Sequence, residues 1–293
     1  MTAAVGRAAA TAGTQPLAIG ITGGAGKVGT ALRHVLASRF RAVRVIDLAA
    51  PASLAPNESF VATNVADLEA LTTAFAGLDG VVHLAGFPSD YDHTVEEMLH
   101  VNVLGASNVY EAARRAGVGR VVLGSSNHVV GFYPRAERVG PDVPMRPDGL
   151  YGLTKCWAEL TAGLYYDKAG IRTLIVRIGN AQARPTTPRS LEIWLSPGDF
   201  AELVRIGMTH PEIDCTTVYG VSAGGGSWYD NSVAERLGFR PHDRIADFAT
   251  PEAFRPQPSE MPEIAEYFQG GPFCEREHDG VLRVRPPPNQ PAE

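Results

Sequence analysis

The chain has 293 residues, 44% hydrophobic and 20% charged, which is long enough to bury a full core and apolar enough to exclude a disordered protein. A formal net charge of −6 argues against a nucleic-acid footprint, and no apolar run approaches the ~18–20 residues a membrane span needs. Cys156, Cys215 and Cys274 are odd in number and far apart, which fits a reducing cytoplasm and offers no metal-ligand cluster.

Residues 1–15 are rich in Ala, Thr and Gly and lack the continuous apolar core of a signal peptide, so they read as a disordered lead-in. Leu17–Thr22 is a short apolar run readable as a buried strand. It leads directly into Gly23-Gly-Ala-Gly-Lys-Val-Gly29 and then a helical pattern over 30–36. Strand, glycine loop and helix in that order make a dinucleotide fingerprint, in which Gly23, Gly26 and Gly29 let the backbone approach a pyrophosphate at a helix N-terminus. A second strand over 42–46 ends at Asp47, 18 residues after Gly29. An acid there bonds ribose hydroxyls and repels a 2′-phosphate, and no arginine follows within 48–55 to offset it, so the spacing favours NAD over NADP.

Further alternation comes next: a strand over 60–63 with Asn64 and Val65 after it, a helix over 67–76, a strand over 80–84, a helix over 95–116 and a strand over 120–125. Strand alternating with helix predicts an α/β fold, a doubly wound parallel Rossmann sheet. Ligands of such sheets bind at the carboxyl ends of the strands, where Gly23–Gly29, Asp47, Asn64, Ala85-Gly86 and Ser126 all fall. A helix is expected over 150–166, with Asp148 as its N-cap. It carries Tyr151 and Lys155, one of only three lysines, and positions four apart share a helix face. An ammonium there is expected to lower the phenol's pKa towards that of a general base, with the Ser126 hydroxyl orienting a substrate oxygen and Lys155 also binding the nicotinamide ribose. Hydride transfer from an alcohol carbon needs such a proton acceptor, so these residues predict an oxidoreductase.

A strand over 172–178 closes the regular alternation. Prolines at 185, 188 and 197, and five more from 241 to 262, break up the rest of the chain. The expected organisation is an NAD-binding Rossmann domain over 16–180, a smaller C-terminal substrate-side region over 181–285, and a disordered tail over 286–293.

Gly23-x-x-Gly26-x-x-Gly29, Leu84-Ala-Gly86, Asn102, Ser125-Ser126 and Tyr151-x-x-x-Lys155 resemble the extended short-chain dehydrogenase/reductase superfamily, including its epimerase/dehydratase branch. Ser125-Ser-Asn-His128, Gly131-Phe-Tyr-Pro134, Arg146-Pro-Asp-Gly-Leu-Tyr-Gly152, Val176-Arg-Ile-Gly179, Trp228-Tyr-Asp-Asn-Ser232 and Phe268-Gln-Gly-Gly271 narrow the resemblance to the bacterial uronate dehydrogenases, over about residues 17 to 274. The resemblance implies oxidation of D-glucuronate or D-galacturonate at C1 to an aldarolactone, with Tyr151 as base beside Lys155 and Ser126. It implies NAD held by Gly23, Gly26, Lys27, Val28, Gly29, Asp47, Asn64, Val65, Leu84, Ala85, Gly86, Asn102, Tyr151, Lys155, Ile178 and Ala181. Substrate would meet Ser89, Ser126, Asn127, His128 and Asn180, with Arg189 clamping the carboxylate through a bidentate fork. The resemblance further implies a homo-oligomer.

The chain departs from that pattern where Asn180 replaces a serine, where Asn64 replaces an aspartate, and over Phe87–His93, which runs about two residues longer. Alternatives are an NAD-dependent dehydrogenase of a neutral or phosphorylated aldose, a nucleotide-sugar epimerase or dehydratase, and a non-catalytic NAD-binding regulator. Asn127-His128 in place of an acid pair disfavours a dehydratase, and a regulator has no use for Ser126, Tyr151 and Lys155 together.

Overall fold

A computed structural model describes residues 17–225, 228–256, 259–283 and 285; the expected lead-in and tail lie outside them. The central sheet has seven parallel strands: β1 (Ala18–Thr22), β2 (Ala42–Asp47), β3 (Glu58–Ala62), β4 (Gly80–His83), β5 (Arg120–Ser126), β6 (Arg172–Ile178) and β9 (Cys215–Gly220). Their order is β3-β2-β1-β4-β5-β6-β9, while β7 (Asn180–Ala181) pairs with β8 (Trp194–Leu195) in a separate ribbon. Strands covered on both faces need no polar alternation, and every residue of β1 and β4 is buried.

Helices α1 (Lys27–Leu36) and α7 (Pro197–Thr209) cover one face, where Leu32 and Leu36 share a core with Phe200, Val204 and Val176. The other face carries α2 (Leu68–Phe75), α4 (Gly105–Ala116) and α5 (Leu150–Ala169), whose Leu71, Val109, Tyr110 and Ala162 pack on Val81, Val121 and Ile175. The chain turns back across the sheet between β3 and β4, and that reversal opens a crevice beyond the carboxyl ends of β1 and β4.

The expected helix over 95–116 is three pieces: α3 (Val95–Met98), a π-helical turn over Leu99–Leu104, and α4. The expected break at 180 also shifts. Residues 197–220 return to the sheet as α7 and β9, because Phe200, Leu203 and Val204 form an apolar helix face that fits over β6. Among the described residues after 180, 181–196, with the one-turn helix α6 (Ser190–Ile193), and the segment after 220 stand apart from the Rossmann layers. A further small core around Ile264, Phe268 and Cys274 seats that last segment against Phe132. Among the described residues no helix is long and apolar enough to cross a membrane.

Candidate active site

The glycine loop is built to admit an anion. Gly23 turns out of β1 with φ +71°, a conformation side chains rarely adopt, and its N–H donates to Ile46 O (2.9 Å). A Cβ on Gly29 would stand 2.2 Å from Gly23 O, so helix and strand can approach only with glycine there. A Cβ on Gly26 would meet only Gly23 O, at 3.2 Å, so that position faces open space. Gly26 caps α1 without a side-chain bond, and the first bonded amide is that of Thr30, to Gly26 O. The amides of Lys27, Val28 and Gly29 precede it, at the positive end of the helix dipole. These features fit a pyrophosphate.

Beside the loop a cavity of about 380 Å³ is lined by Gly23, Gly26, Asp47, Asn64, Val65, Leu84, Ala85 and Gly86. Asp47 Oδ2 accepts from Ala25 N–H (2.9 Å) and Oδ1 from Leu48 N–H (2.7 Å), which aims the carboxylate at the loop. Asn64 Oδ1 accepts from Ala66 N–H, leaving its amino group for other partners. The adjoining cavity, about 280 Å³, brings together Val28, Ser126, His128, Tyr151, Lys155, Ile178, Asn180, Ala181 and Arg189. A larger recess of about 720 Å³ lies on another side of Arg189, near Arg135 and Trp228; it contains neither the glycine loop nor Tyr151 and Lys155.

Ser126 ends β5 and its Oγ accepts from His128 N–H (3.2 Å), which starts a 3₁₀ turn over Asn127–Val130. Tyr151 stands in the first turn of α5, and Lys155 follows one turn later, donating from Nζ to Gly124 O at 3.0 Å. Burial pushes the Tyr151 phenol up to about 12, against the hydrogen bond from Ser126 and with help from Asp148. Burial likewise lowers the Lys155 ammonium to about 8, and Glu159 holds it from falling further. The expected lowering of the tyrosine by its lysine is therefore corrected. The ammonium lies 5.7 Å from the ring centre and is committed to Gly124, so loss of hydration outweighs its field.

Arg189 comes back over the cleft on the loop between β7 and β8. Its Nε donates to Gln269 O (2.8 Å), and Nη2 to the Asn127 amide oxygen (2.6 Å). Asn127 is fully buried, donates to Ile178 O and also accepts from the Tyr229 hydroxyl. It thus holds Arg189 from behind and contributes nothing to the cleft wall. Among the described residues no carboxylate pairs with Arg189, although burial lowers its pKa. Asn180 Oδ1 is buried without a hydrogen-bond partner among the described residues, an acceptor awaiting a donor.

Two further expected ligands lie elsewhere. Asn102, on the π-helical turn, spends its amide on Phe87 N–H (2.8 Å), Phe87 O (3.1 Å) and Thr154 Oγ1 (3.2 Å), so it pins the loop after Gly86 to α5. Ser89 sits on that loop but lines neither cavity, where Phe87 and Pro88 stand instead.

Three residues near the site escape a reading by motif. Asp148 does not cap α5, whose N-cap is Gly149; its buried carboxylate meets His128 Nδ1 at 2.6 Å. Asp90 reaches the amide of Tyr151 from the 87–93 loop, and Phe273 of the C-terminal segment packs on His128 with ring centres 4.0 Å apart and planes tilted by 35°. Asp148 could have been suspected from its place three residues before Tyr151, whereas Asp90 and Phe273 carry no local signal.

The model of the NAD dependent epimerase/dehydratase family matches residues 19–191. The chain is 40% identical over 255 residues to the uronate dehydrogenase of Agrobacterium fabrum, covering 87% of this chain and 96% of that one. A solved glucuronic acid dehydrogenase from Chromohalobacter salexigens superimposes with a TM-score of 0.81 at 37% identity, over 89% of this chain and 97% of that one. A mutant uronate dehydrogenase from Agrobacterium tumefaciens complexed with NAD gives 0.79 at 38% identity, with the same coverage. The chain belongs to the NAD dependent epimerase/dehydratase family and, within it, to the uronate dehydrogenases.

Proposed function

We propose that this chain oxidises a hexuronic acid, D-glucuronate or D-galacturonate, at C1 to the aldarolactone, using NAD. The observation that carries the acidic substrate is Arg189. A guanidinium held in a cleft by two neutral oxygens and no carboxylate keeps its outward N–H groups for an anion, and a carboxylate matches that fork. Bound NAD supplies the acceptor for the C1 hydride. The amides of Lys27, Val28 and Gly29 would hold its pyrophosphate and Asp47 its adenosine ribose, while Lys155 would serve the second ribose.

Ser126 orients the C1 hydroxyl and Tyr151 takes its proton as the C1–H bond breaks, so that C1 becomes the lactone carbonyl. With the free phenol near 12, little phenolate exists at neutral pH; the Ser126 hydroxyl draws it down, and a nicotinamide cation, when bound, would add to that effect. Residues 181–196 and the segment beyond 220 act as the substrate-side region. The three cysteines, none in a disulfide, support a cytoplasmic site of action.

A homo-oligomer is proposed on the outer face of α5. Leu153, Trp157, Leu160 and Leu164 recur at helical spacing and are about half exposed or more, as a helix covered by another copy would be. The deciding measurement is NADH formation with a panel of uronates, neutral aldoses and aldose phosphates. Turnover of uronates supports the assignment; turnover confined to neutral or phosphorylated sugars overturns it.

A further inference from the structure

Asp148 has a fully buried carboxylate whose side chain makes one hydrogen bond among the described residues, to His128 Nδ1; its Oδ1 has none. Burying a carboxylate is costly, and a carboxylate kept for backbone tethering would show backbone partners. None is present. Instead, three glycines from separate segments make room for it. A Cβ on Gly131 would lie 1.8 Å from Oδ2, one on Gly270 2.1 Å from it, and one on Gly152 3.2 Å from Oδ1. The carboxylate's charge also faces the phenols of Tyr151, Tyr229 and Tyr91, the thiols of Cys156 and Cys274, and the Arg189 guanidinium. At Tyr151 it opposes phenolate formation, so any benefit it brings has to act through another group.

His128 is that group. Its ring is held between Phe273 and the edge of Tyr151, 5.8 Å away, and it lines the cleft beside Ser126. Its Nε2 has no partner among the described residues. We infer that Asp148 is a positioning residue for substrate recognition: it keeps the proton of His128 on Nδ1 and thereby presents Nε2 to the cleft as an acceptor for a sugar hydroxyl. A carboxylate can only accept, so it selects the Nδ1–H tautomer and leaves the lone pair on the other nitrogen. The inference rests on the sugar-oxidising reading of this cleft.

The isosteric variant Asp148→Asn tests it, since an amide can donate to Nδ1 and release the other tautomer. With saturating NAD, KM for D-glucuronate and D-galacturonate should rise about tenfold, the loss of one hydrogen bond, while NAD affinity holds. The alkaline rise of kcat/KM should also move to lower pH, because the charge opposing the Tyr151 phenolate is gone. His128→Ala should raise KM comparably, and the double variant should add less than twofold to it. A KM within twofold of the unmodified chain, or losses that multiply in the double variant, overturns the inference. Should Asp148→Asn fail to fold, ¹⁵N NMR of His128 in the unmodified protein decides: a proton on Nδ1 alone supports the inference, and a proton on Nε2, alone or in a doubly protonated ring, overturns it. Turnover of a neutral aldose in place of uronates would sink the substrate reading, and the same comparison on that sugar would still decide the role of Asp148.

Discussion

Asp90 caps the helix that carries Tyr151: its Oδ2 accepts the tyrosine's own amide proton at 3.3 Å, from 61 residues earlier in the chain. Its Oδ1 faces Arg276 Nη1 at 3.5 Å, and Tyr91 packs edge-on against Phe273, so the 87–93 loop and the C-terminal segment meet over the cleft. One carboxylate thus ties Tyr151 to the cover of its site. Asp90→Ala should cost about 1 kcal/mol of stability through the lost cap. It should also lower kcat several-fold as Tyr151 loses its anchor. Asp90→Asn keeps an acceptor for the amide and should restore most of the stability, losing only the pairing to Arg276. Denaturant unfolding of the two variants beside their kinetics checks this; equal losses in both would refute the capping role.

Tyr151→Phe removes the proposed proton acceptor and leaves the ring contact with His128 in place. Turnover should fall at least about a thousandfold, the scale of a lost general base. NAD affinity, measured by calorimetry, should change little. Substantial residual turnover would move the base elsewhere in the cleft.

The turn at Gly23–Gly29, the strand ends at Asp47 and Ser126, and the one-turn spacing of Tyr151 and Lys155 on a helix are legible in the chain because each placement depends on local spacing. Residues that act through distant partners were not. Asp148 looks like a cap in sequence, and only the approach of Gly131 and Gly270 shows that it is buried against His128. Asn127 reads as a sugar ligand by its neighbours in the motif, yet its place is behind Arg189. The seventh strand was hidden because proline-rich flanks mask an ordinary helix and strand at Pro197–Thr209 and Cys215–Gly220. The tyrosine's pKa departs from the expectation for a related reason: helical spacing puts Lys155 near it, but burial depth is a property of the whole fold.

Arg189→Ala should raise KM for uronates by tenfold or more and leave KM for a neutral aldose within about twofold. It also strips partners from Asn127 and Gln269 O, so some stability should be lost, and the thermal midpoint is the control. Arg189→Lys keeps the charge without the planar fork and should recover only part of the affinity. An equal loss for charged and neutral sugars would contradict the carboxylate clamp.

Asp47→Ala takes away the proposed ribose acceptor and the charge that would repel a 2′-phosphate. The ratio of kcat/KM for NAD over NADP should fall by at least about tenfold, chiefly through a higher KM for NAD. Because Asp47 also accepts from Ala25 and Leu48, Asp47→Asn is the gentler test of charge alone. A native preference for NADP would refute the role of Asp47 outright.

Lys155 links activity to stability with opposite signs. Its folded-state pKa, about 8, lies below its ordinary value of 10.5, and burial is the cause. Below pH 8 both folded and unfolded chains carry the charge, and the folded one bears the full cost of burying it, on the order of 3 kcal/mol. Between pH 8 and 10.5 the folded protein gives up its proton while the unfolded chain keeps it, so this cost fades and stability from this group rises with pH. Lys155→Met removes the ammonium and its hydrogen bond to Gly124 O, the latter worth about 1 kcal/mol. At pH 7 the variant should therefore be more stable than the unmodified chain by roughly 2 kcal/mol, and the advantage should vanish as pH approaches 10. Turnover should drop at least about a hundredfold, because the proposed ribose ligand and the cation 5.7 Å from the Tyr151 ring are lost together. Urea unfolding at several pH values is the measurement. A variant less stable than its parent by the same margin at pH 7 and pH 10 would show that Lys155 is held by its contacts and bears no burial cost.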